Sequence, residues 1–265
     1  MSFATVWVEG LTKTFWDESR GEVKAVDGVS FSCRAGEVFG LLGANGAGKT
    51  TTLRMLSTIL RPTGGHAHVM GHNIVDDPES VRASLGFYSS STALYPRLTA
   101  RETLEFFARV NRYPSERVAA RVDDMVRRFG ITDFQSARVE KLSSGMKQKV
   151  SIARTVVHDP PVLIFDEPTV GLDVINAVEM QDMIRALKEE GKTIIFSTHI
   201  MSEAEKLCDT IAIMHRGRVL ASGSLDEHRR ATGKHYLEDI FLHHVRDGGG
   251  VTPPPADPPT GPNHS

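Results

Sequence analysis

Cysteine is nearly absent. Cys33 and Cys208 are the only two thiols in 265 residues, and they sit far apart, in no metal-ligand or redox spacing. That suits a reducing compartment, the cytosol by default, and leaves only a chance disulfide open. Long apolar runs are missing too: no stretch approaches the roughly 20 residues needed to cross a bilayer. The opening MSFATVWVEG has no basic region leading into an apolar run. Neither a membrane span nor a secretory leader is expected, so any membrane role must come through a partner. No sign of charge dominates, since 31 Lys and Arg stand against 33 Asp and Glu. No global field recruits nucleic acid, although local basic patches stay open. What is present is a chain with 40% hydrophobic and 24% charged residues, enough to bury a full core as one domain with a subdomain or appendage.

The segments ATVWVEGLTKTFW and AVDGVSFSCRAGEVFGLLG read as several short strands separated by glycine turns, and EVFGLL runs directly into a glycine-rich loop. From Lys49 onward Leu53, Leu56 and Leu60 keep helical spacing, with Pro62 closing the run. Residues from about Phe87 to Asp159 change character. They are Arg-rich, carry helix periodicity and a candidate capping box in Thr99 and Glu102, and read as a helical insertion. Beyond them PVLIF and TIIFS are apolar runs of strand length. The helix between them places Ala177, Met180, Ile184 and Leu187 on one face, with Gly191 as its stop. Strands alternating with helices predict a parallel sheet covered on both faces. IAIMHRGRVLA predicts a hairpin turning near Gly217. Residues 246–265, rich in Gly and Pro, cannot offset their ordering entropy and are expected to be disordered.

Gly43, Gly48, Lys49 and Thr50 satisfy G-x-x-x-x-G-K-[ST] between a strand and a helix. Glycines let the backbone bend so that successive N–H groups point at a β-phosphate. Lys49 adds charge over the β and γ groups, and the Thr50 hydroxyl can ligate magnesium. The candidate nucleotide contacts are Gly43, Asn45, Gly46, Ala47, Gly48, Lys49, Thr50 and Thr51. A chance Lys-Thr after a glycine turn is the weaker reading in this context. The strand VLIF delivers Asp166 and Glu167 at its carboxyl end, one toward a metal and one toward an attacking water. A second polar turn, LSSGMKQK, opens a helix on which Met146, Val150, Ala153 and Val157 share a face before Pro160. Ser143 or Ser144 could cap that helix.

The phosphate loop, LSSGMKQK just before VLIFDE, then GLD and an isolated His after the next strand together resemble the ATP-binding cassette (ABC) ATPases, over residues from about 4 to 245. The resemblance implies an α/β P-loop NTPase (RecA-like) with a parallel-sheet core, an N-terminal antiparallel β-subdomain and an inserted α-helical subdomain. Residues 1–245 would form the ATPase domain. It implies ATP with Mg2+, and two subunits packed head to tail, so that Ser144 and Gly145 of one close over the γ-phosphate held by the other. It makes Glu167 the general base, His199 the group that contacts the γ-phosphate and keeps water and base in register, and Thr50 and Asp166 the metal contacts. Asp173 would cross the dimer interface, a role compatible with its plainer one as a helix N-cap. Phe15, with Trp16 as rival, is the candidate for stacking on adenine, and either could equally be core.

Where the family usually has a Gln that reaches magnesium and senses the permease, this chain offers Ser90, a shorter side chain that reaches metal only through water. The sodium-export (NatA-like) branch also tends to lack that Gln. ALYPRLTARE, GMKQKVSIAR, FSTHIMSEAEKLCD and LEDIFL resemble that branch as well. The implied partners are an integral membrane permease and a second copy of the chain or a related ATPase, at the cytoplasmic face of the membrane, with no nucleic acid expected. Sodium is the favoured cargo; drug, lipid and polysaccharide stay open. The alternative, a soluble ABC ATPase acting on DNA or ribosomes, would carry a long coiled coil or two cassettes, and neither is present. A regulatory module without turnover is disfavoured because Lys49, Asp166, Glu167 and His199 are all there. His66, His68 and His72, with no carboxylate or Cys expected nearby, read as a solvated strand rather than a metal site. Arg109, Arg112, Arg117, Arg121, Arg127 and Arg128, set among acidic residues, read as a solvated helical face.

Overall fold

The computed structural model describes residues 4–19, 21–89 and 92–247. Strands β1 (Ala4–Asp17) and β2 (Gly21–Arg34) pair antiparallel along their whole length. The several short strands expected here are thus two long ones. Gly10 and Gly28, both at positive φ, fall where the register shifts, so they mark bulges within the ladder and not its ends. The apolar face of the pair buries Val6, Val8, Leu11, Val26, Val29 and Phe31.

Strand β3 (Val38–Leu42), buried throughout, leads through the glycine loop into helix α1 (Lys49–Leu56). That helix stops earlier than the Leu60 spacing suggests, because Thr58 turns the chain at φ 60, well before Pro62. Strands β4 (Gly64–Val69) and β5 (His72–Asn73) complete the antiparallel sheet in the order β2-β1-β4-β5. Helix α2 (Pro78–Ala83) and strand β6 (Leu85–Ser89) follow. Because β6 pairs with the core sheet, Phe87 to Ser89 belong to that sheet, and the helical segment begins after them.

That segment holds α3 (Ala100–Val110), opened by the expected Thr99–Glu102 capping box, then α4 (Val118–Arg128) and α5 (Ser144–Val156). Its buried face, with Leu104, Val122, Met125 and Val150, is continuous with Phe165 and Ile194 of the core sheet. Val150, Ala153 and Val157 are buried as the helical spacing predicts. Met146 is exposed, because the first turn of α5 stands at the surface beside Ser144. Arg121 is more than a solvated charge: its guanidinium donates to the Val156 and Val157 carbonyls at the end of α5, both at 3.0 Å.

The rest alternates as predicted: β7 (Val162–Asp166), α6 (Val174–Glu189), β8 (Thr193–Thr198), α7 (Met201–Leu207), β9 (Thr210–His215), β10 (Arg218–Gly223), α8 (Leu225–Thr232) and α9 (Leu237–Asp247). The core sheet runs β10-β9-β3-β8-β7-β6, parallel except for the β9–β10 hairpin. Arg216 and Gly217, both at positive φ, form the hairpin turn. The expectation for the tail falls outside the described residues from 248 onward, and Arg246 and Asp247 end α9. Among the described residues no helix is long and apolar enough to cross a membrane.

The three β-sheet histidines diverge. His66 is exposed, His68 packs its ring against Trp7, and His72 does have a carboxylate at hand, with Nδ1 2.9 Å from Asp77. No group of three or more His, Cys, Asp or Glu among the described residues is placed to hold a metal ion.

His158, just past α5, sits with Nε2 3.3 Å from the Leu85 carbonyl and with Nδ1 buried without a partner. Burial pushes its imidazole down to about 4, from an ordinary 6.5. Between those values the unfolded chain binds a proton that the folded one refuses, so stability is lost as pH falls from 6.5 toward 4. Discounted for the solvent that reaches this half-buried residue, the loss from this group is roughly 2 kcal/mol. Urea unfolding at pH 7, 5.5 and 4.5 should show that loss, and His158→Gln should flatten it by about the same amount.

Candidate active site

Strand β8 lies between β3 and β7, with Leu42 beside Thr198 and Asp166 beside Ser197. The glycine loop, Glu167 and His199 therefore leave the sheet from three adjacent carboxyl ends, the edge at which open α/β sheets place ligands.

The loop is held by backbone contacts that side chains would obstruct. A Cβ on Gly43 would lie 2.5 Å from the Met214 carbonyl oxygen, and one on Gly48, at φ 104, would lie 2.6 Å from that of Ala25. Ala47 N–H donates to the Ala44 carbonyl at 3.1 Å, and the hairpin's Gly217 N–H donates to the Ala47 carbonyl at 2.9 Å. Asn45 and Gly46 are exposed at the tip, and Thr51 is half-buried in the first turn of α1. Lys49 is buried, and its ammonium reaches the Gly43 carbonyl at 2.6 Å, the Ala44 carbonyl at 3.3 Å and Glu167 Oε1 at 3.1 Å.

The two carboxylates differ. Asp166 is buried; desolvation raises its carboxyl, and hydrogen bonds from Ser197 (2.7 Å) and Thr50 (3.0 Å) offset this only in part. Burial also acts to raise Glu167. There, however, hydrogen bonds and charge from Lys49 and His199 outweigh it and hold the carboxyl below the ordinary range. His199 Nδ1 is 3.2 Å from Glu167 Oε1. Glu167 also takes a left-handed backbone, φ 48, uncommon for a residue with a side chain. An ionised carboxylate with an imidazole and an ammonium on one oxygen is suited to polarising a water beside a phosphate. The Thr50 hydroxyl and Asp166 carboxylate are an oxygen-only donor pair of the kind Mg2+ prefers.

Other expected residues are not brought to this cluster. Ser144 and Gly145 open α5, Ser144 in solvent and Gly145 half-buried, with Ser143 as the cap accepting from Met146 N–H at 3.3 Å. Among the described residues no hydrogen bond or ion pair joins that turn to the glycine loop. Asp173 caps α6 through Asn176 N–H at 3.0 Å and is exposed. Phe15, 42% exposed, lies under the Lys13 ammonium at 5.2 Å, and Trp16 is more exposed still. Neither ring is core. Ser90 lies outside the described residues. Ser197 carries no motif of its own, because TIIFS reads as an apolar run; a hydroxyl inside such a run, two residues before His199, is the available signal.

Two loop glycines separate clash from strain. Gly48→Ala meets backbone at 2.6 Å and should lower stability by about 2–3 kcal/mol. Gly46→Ala, with nothing within 4 Å, pays only for its positive φ, roughly 1 kcal/mol. Chemical denaturation of the two variants checks the order.

The sequence profile of the family described as ABC transporter matches residues 26–170. The ABC transporter ATP-binding protein NatA of Bacillus subtilis is 41% identical over 232 residues, which is 87% of this chain and 94% of that protein. The daunorubicin resistance ATP-binding protein DrrA3 of Streptomyces coeruleorubidus is 37% identical, covering 95% of this chain and 78% of that one. A solved ATP-binding subunit of an ABC transporter superposes with a TM-score of 0.82 at 30% identity, covering 91% of this chain and all of that one. A dimeric ATP-binding cassette in a post-hydrolysis state with ADP and Pi gives 0.75 at 25% identity, over 83% and 98%. With its phosphate loop, carboxylate pair and histidine gathered at one sheet edge, this chain belongs to the ABC transporter family, as an ATP-binding subunit and an ATPase.

Proposed function

We propose that this chain is the motor subunit of an ABC exporter, working at the cytoplasmic face of the membrane through a separate integral membrane permease. Residues 1–245 form its ATPase domain, and nucleic acid is not among its partners. The observation that carries the reading is the cluster of Lys49, Glu167 and His199 beside the Thr50–Asp166 pair.

ATP is the substrate. The N–H groups of Gly43 to Thr51 receive its phosphates, and Lys49 supplies the positive charge. A γ-phosphate at Lys49 competes with Glu167 for the ammonium, which frees the carboxylate to accept a water's proton. His199 holds water and base in line. Thr50 and Asp166 hold Mg2+, which draws charge off the phosphate oxygens when bound. A serine at position 90 would be shorter than the family's usual Gln and would contact the metal only through water. Phe15 offers its exposed face to the adenine ring. A second copy, or a related ATPase packed head to tail, brings its Ser144 hydroxyl, Gly145 N–H and α5 dipole to the opposite side of the γ-phosphate. Asp173 then links the paired sites. Closure on ATP drives the permease, and hydrolysis resets it. Sodium efflux is the cargo we assign, from the NatA-like segments and Ser90; the drug-resistance name of one relative marks the competing cargo class.

Glu167→Gln should lower ATP turnover by about 10²–10⁴-fold while ATP binding survives, and should accumulate an ATP-bound dimer on gel filtration. Undiminished hydrolysis would sink the base assignment. In vesicles carrying the co-purified permease, ATP-driven sodium efflux should vanish with Lys49→Ala. Drug efflux without sodium movement would reassign the cargo.

A further inference from the structure

One hydroxyl under the site has no direct part in the proposed hydrolysis. Ser197 is fully buried, at the penultimate position of β8. Its Oγ donates to Asp166 Oδ1 at 2.7 Å and accepts from the Glu167 N–H at 3.0 Å. A serine has one proton and Glu167 N–H is a donor, so the direction of both bonds is fixed: the proton goes to Asp166 and the lone pair to Glu167. Asp166 Oδ1 also accepts from the Thr50 hydroxyl at 3.0 Å. A single buried atom thus bridges the carboxylate facing the phosphate loop and the backbone of the neighbouring glutamate.

The second bond falls where the chain is strained. Glu167 leaves β7 at φ 48, a turn that points its carboxylate toward Lys49 and His199. Its N–H has one other acceptor, the Ser197 carbonyl, at a longer 3.2 Å. Two residues on, just past the end of β8, His199 brings its Nδ1 to 3.2 Å from Glu167 Oε1. Strand β8 and the residue that follows it therefore hold Glu167 twice, Ser197 at its backbone N–H and His199 at its carboxylate. Alanine would keep the strand, its burial and the carbonyl acceptor while removing the hydroxyl's bonds to Asp166 and to the Glu167 N–H.

We propose that Ser197 is a positioning residue for hydrolysis: its hydroxyl ties Asp166 to the backbone of Glu167 and fixes the strained turn that aims the Glu167 carboxylate. The role rests on Glu167 acting as base, and it touches neither nucleotide nor water directly.

The test pairs a readout free of nucleotide with a kinetic one, using Ser197→Ala, Ser197→Thr and Ser197→Val in the full chain. Hydrogen–deuterium exchange of the segment 166–170, without nucleotide or metal, should quicken about tenfold at the Glu167 amide in Ser197→Ala and Ser197→Val. It should stay near wild type in Ser197→Thr, which keeps the hydroxyl. In steady-state hydrolysis kcat should fall about tenfold in the two variants without the hydroxyl, with KM for ATP within about twofold, since one hydrogen bond is at stake. Threonine should restore kcat. Should alanine fail to fold, the near-isosteric threonine and valine still separate hydroxyl from volume. Equal rates and equal exchange in Thr and Val would overturn the proposal, as would a wild-type kcat in Ser197→Ala. Undiminished turnover in Glu167→Gln, with exchange still dependent on the Ser197 hydroxyl, would instead remove the base and leave the backbone tie standing.

Discussion

The site depends on β8 running parallel between β3 and β7. Neighbouring strands lie about 4.8 Å apart, so groups leaving three adjacent carboxyl ends arrive within ion-pair reach of one another without any long-range folding of loops. Lys49, Glu167 and His199 meet in this way, at 3.1 and 3.2 Å. All six residues of β8 are buried, and Ile194 to Phe196 anchor it between the core's two faces. A slip of one residue would turn that whole pattern over and put Thr198 where Ser197 now meets Asp166. Packing of an ordinary apolar strand is thus what specifies the register of the chemistry.

Several unfavourable terms are gathered at that edge, and each is offset locally. A buried ammonium is tolerated because Lys49 has two carbonyls and a carboxylate around it. The left-handed turn at Glu167, roughly 1–2 kcal/mol by itself, is held by two acceptors on Ser197. Support also comes from outside the core sheet. The β9–β10 turn donates from Gly217 to the loop and accepts from Asp27 of β2 at 2.8 Å, while Arg218 donates to the Asp27 carboxylate at 2.8 Å. The antiparallel sheet, which contributes no residue to the charged cluster, braces the phosphate loop through this hairpin.

Much of this was legible in the sequence because the motifs are local. The loop, the Asp166–Glu167 pair, the Thr99 capping box and the Gly217 hairpin each depend on residues a few positions apart, and each is found where the pattern puts it. Features that depend on partners far along the chain were not. Glycines within β1 and β2 look like turns until the opposite strand shows that the ladder continues past them. Helix α1 ends at a left-handed Thr58 that no propensity marks. Phe87 to Ser89 look like the start of the helical segment until β7 claims them as a neighbour. Ser197 hides inside an apolar run, since only the pairing with Asp166 gives its hydroxyl something to hold. The first turn of α5 keeps helical spacing at Met146, yet burial requires a surface to pack against, and there the helix has outrun the core.

That overhang bears on the proposed pairing. The first turns of α5 and α6 lie side by side: a Cβ on Gly145 would sit 3.5 Å from Asn176 Oδ1, and Lys149 pairs with Glu179 at 3.4 Å. Together they present the Ser144 hydroxyl and Asp173 beside Val174 and Ile175, which are 80% and 73% exposed. Within one chain this platform does no work for the phosphate loop, to which nothing among the described residues connects it. Polar donors aimed outward would gain nothing from being placed next to two large apolar side chains left in water, which isolated surfaces tend to avoid. The proposed head-to-tail pairing would account for both at once: a second subunit laid over the platform would bury the valine and isoleucine and bring its own phosphate loop against the Ser144 turn. In that pairing the burial would supply the association energy and the polar turn the dependence on a bound anion, so that the pair would close strongly only with the triphosphate there to be gripped.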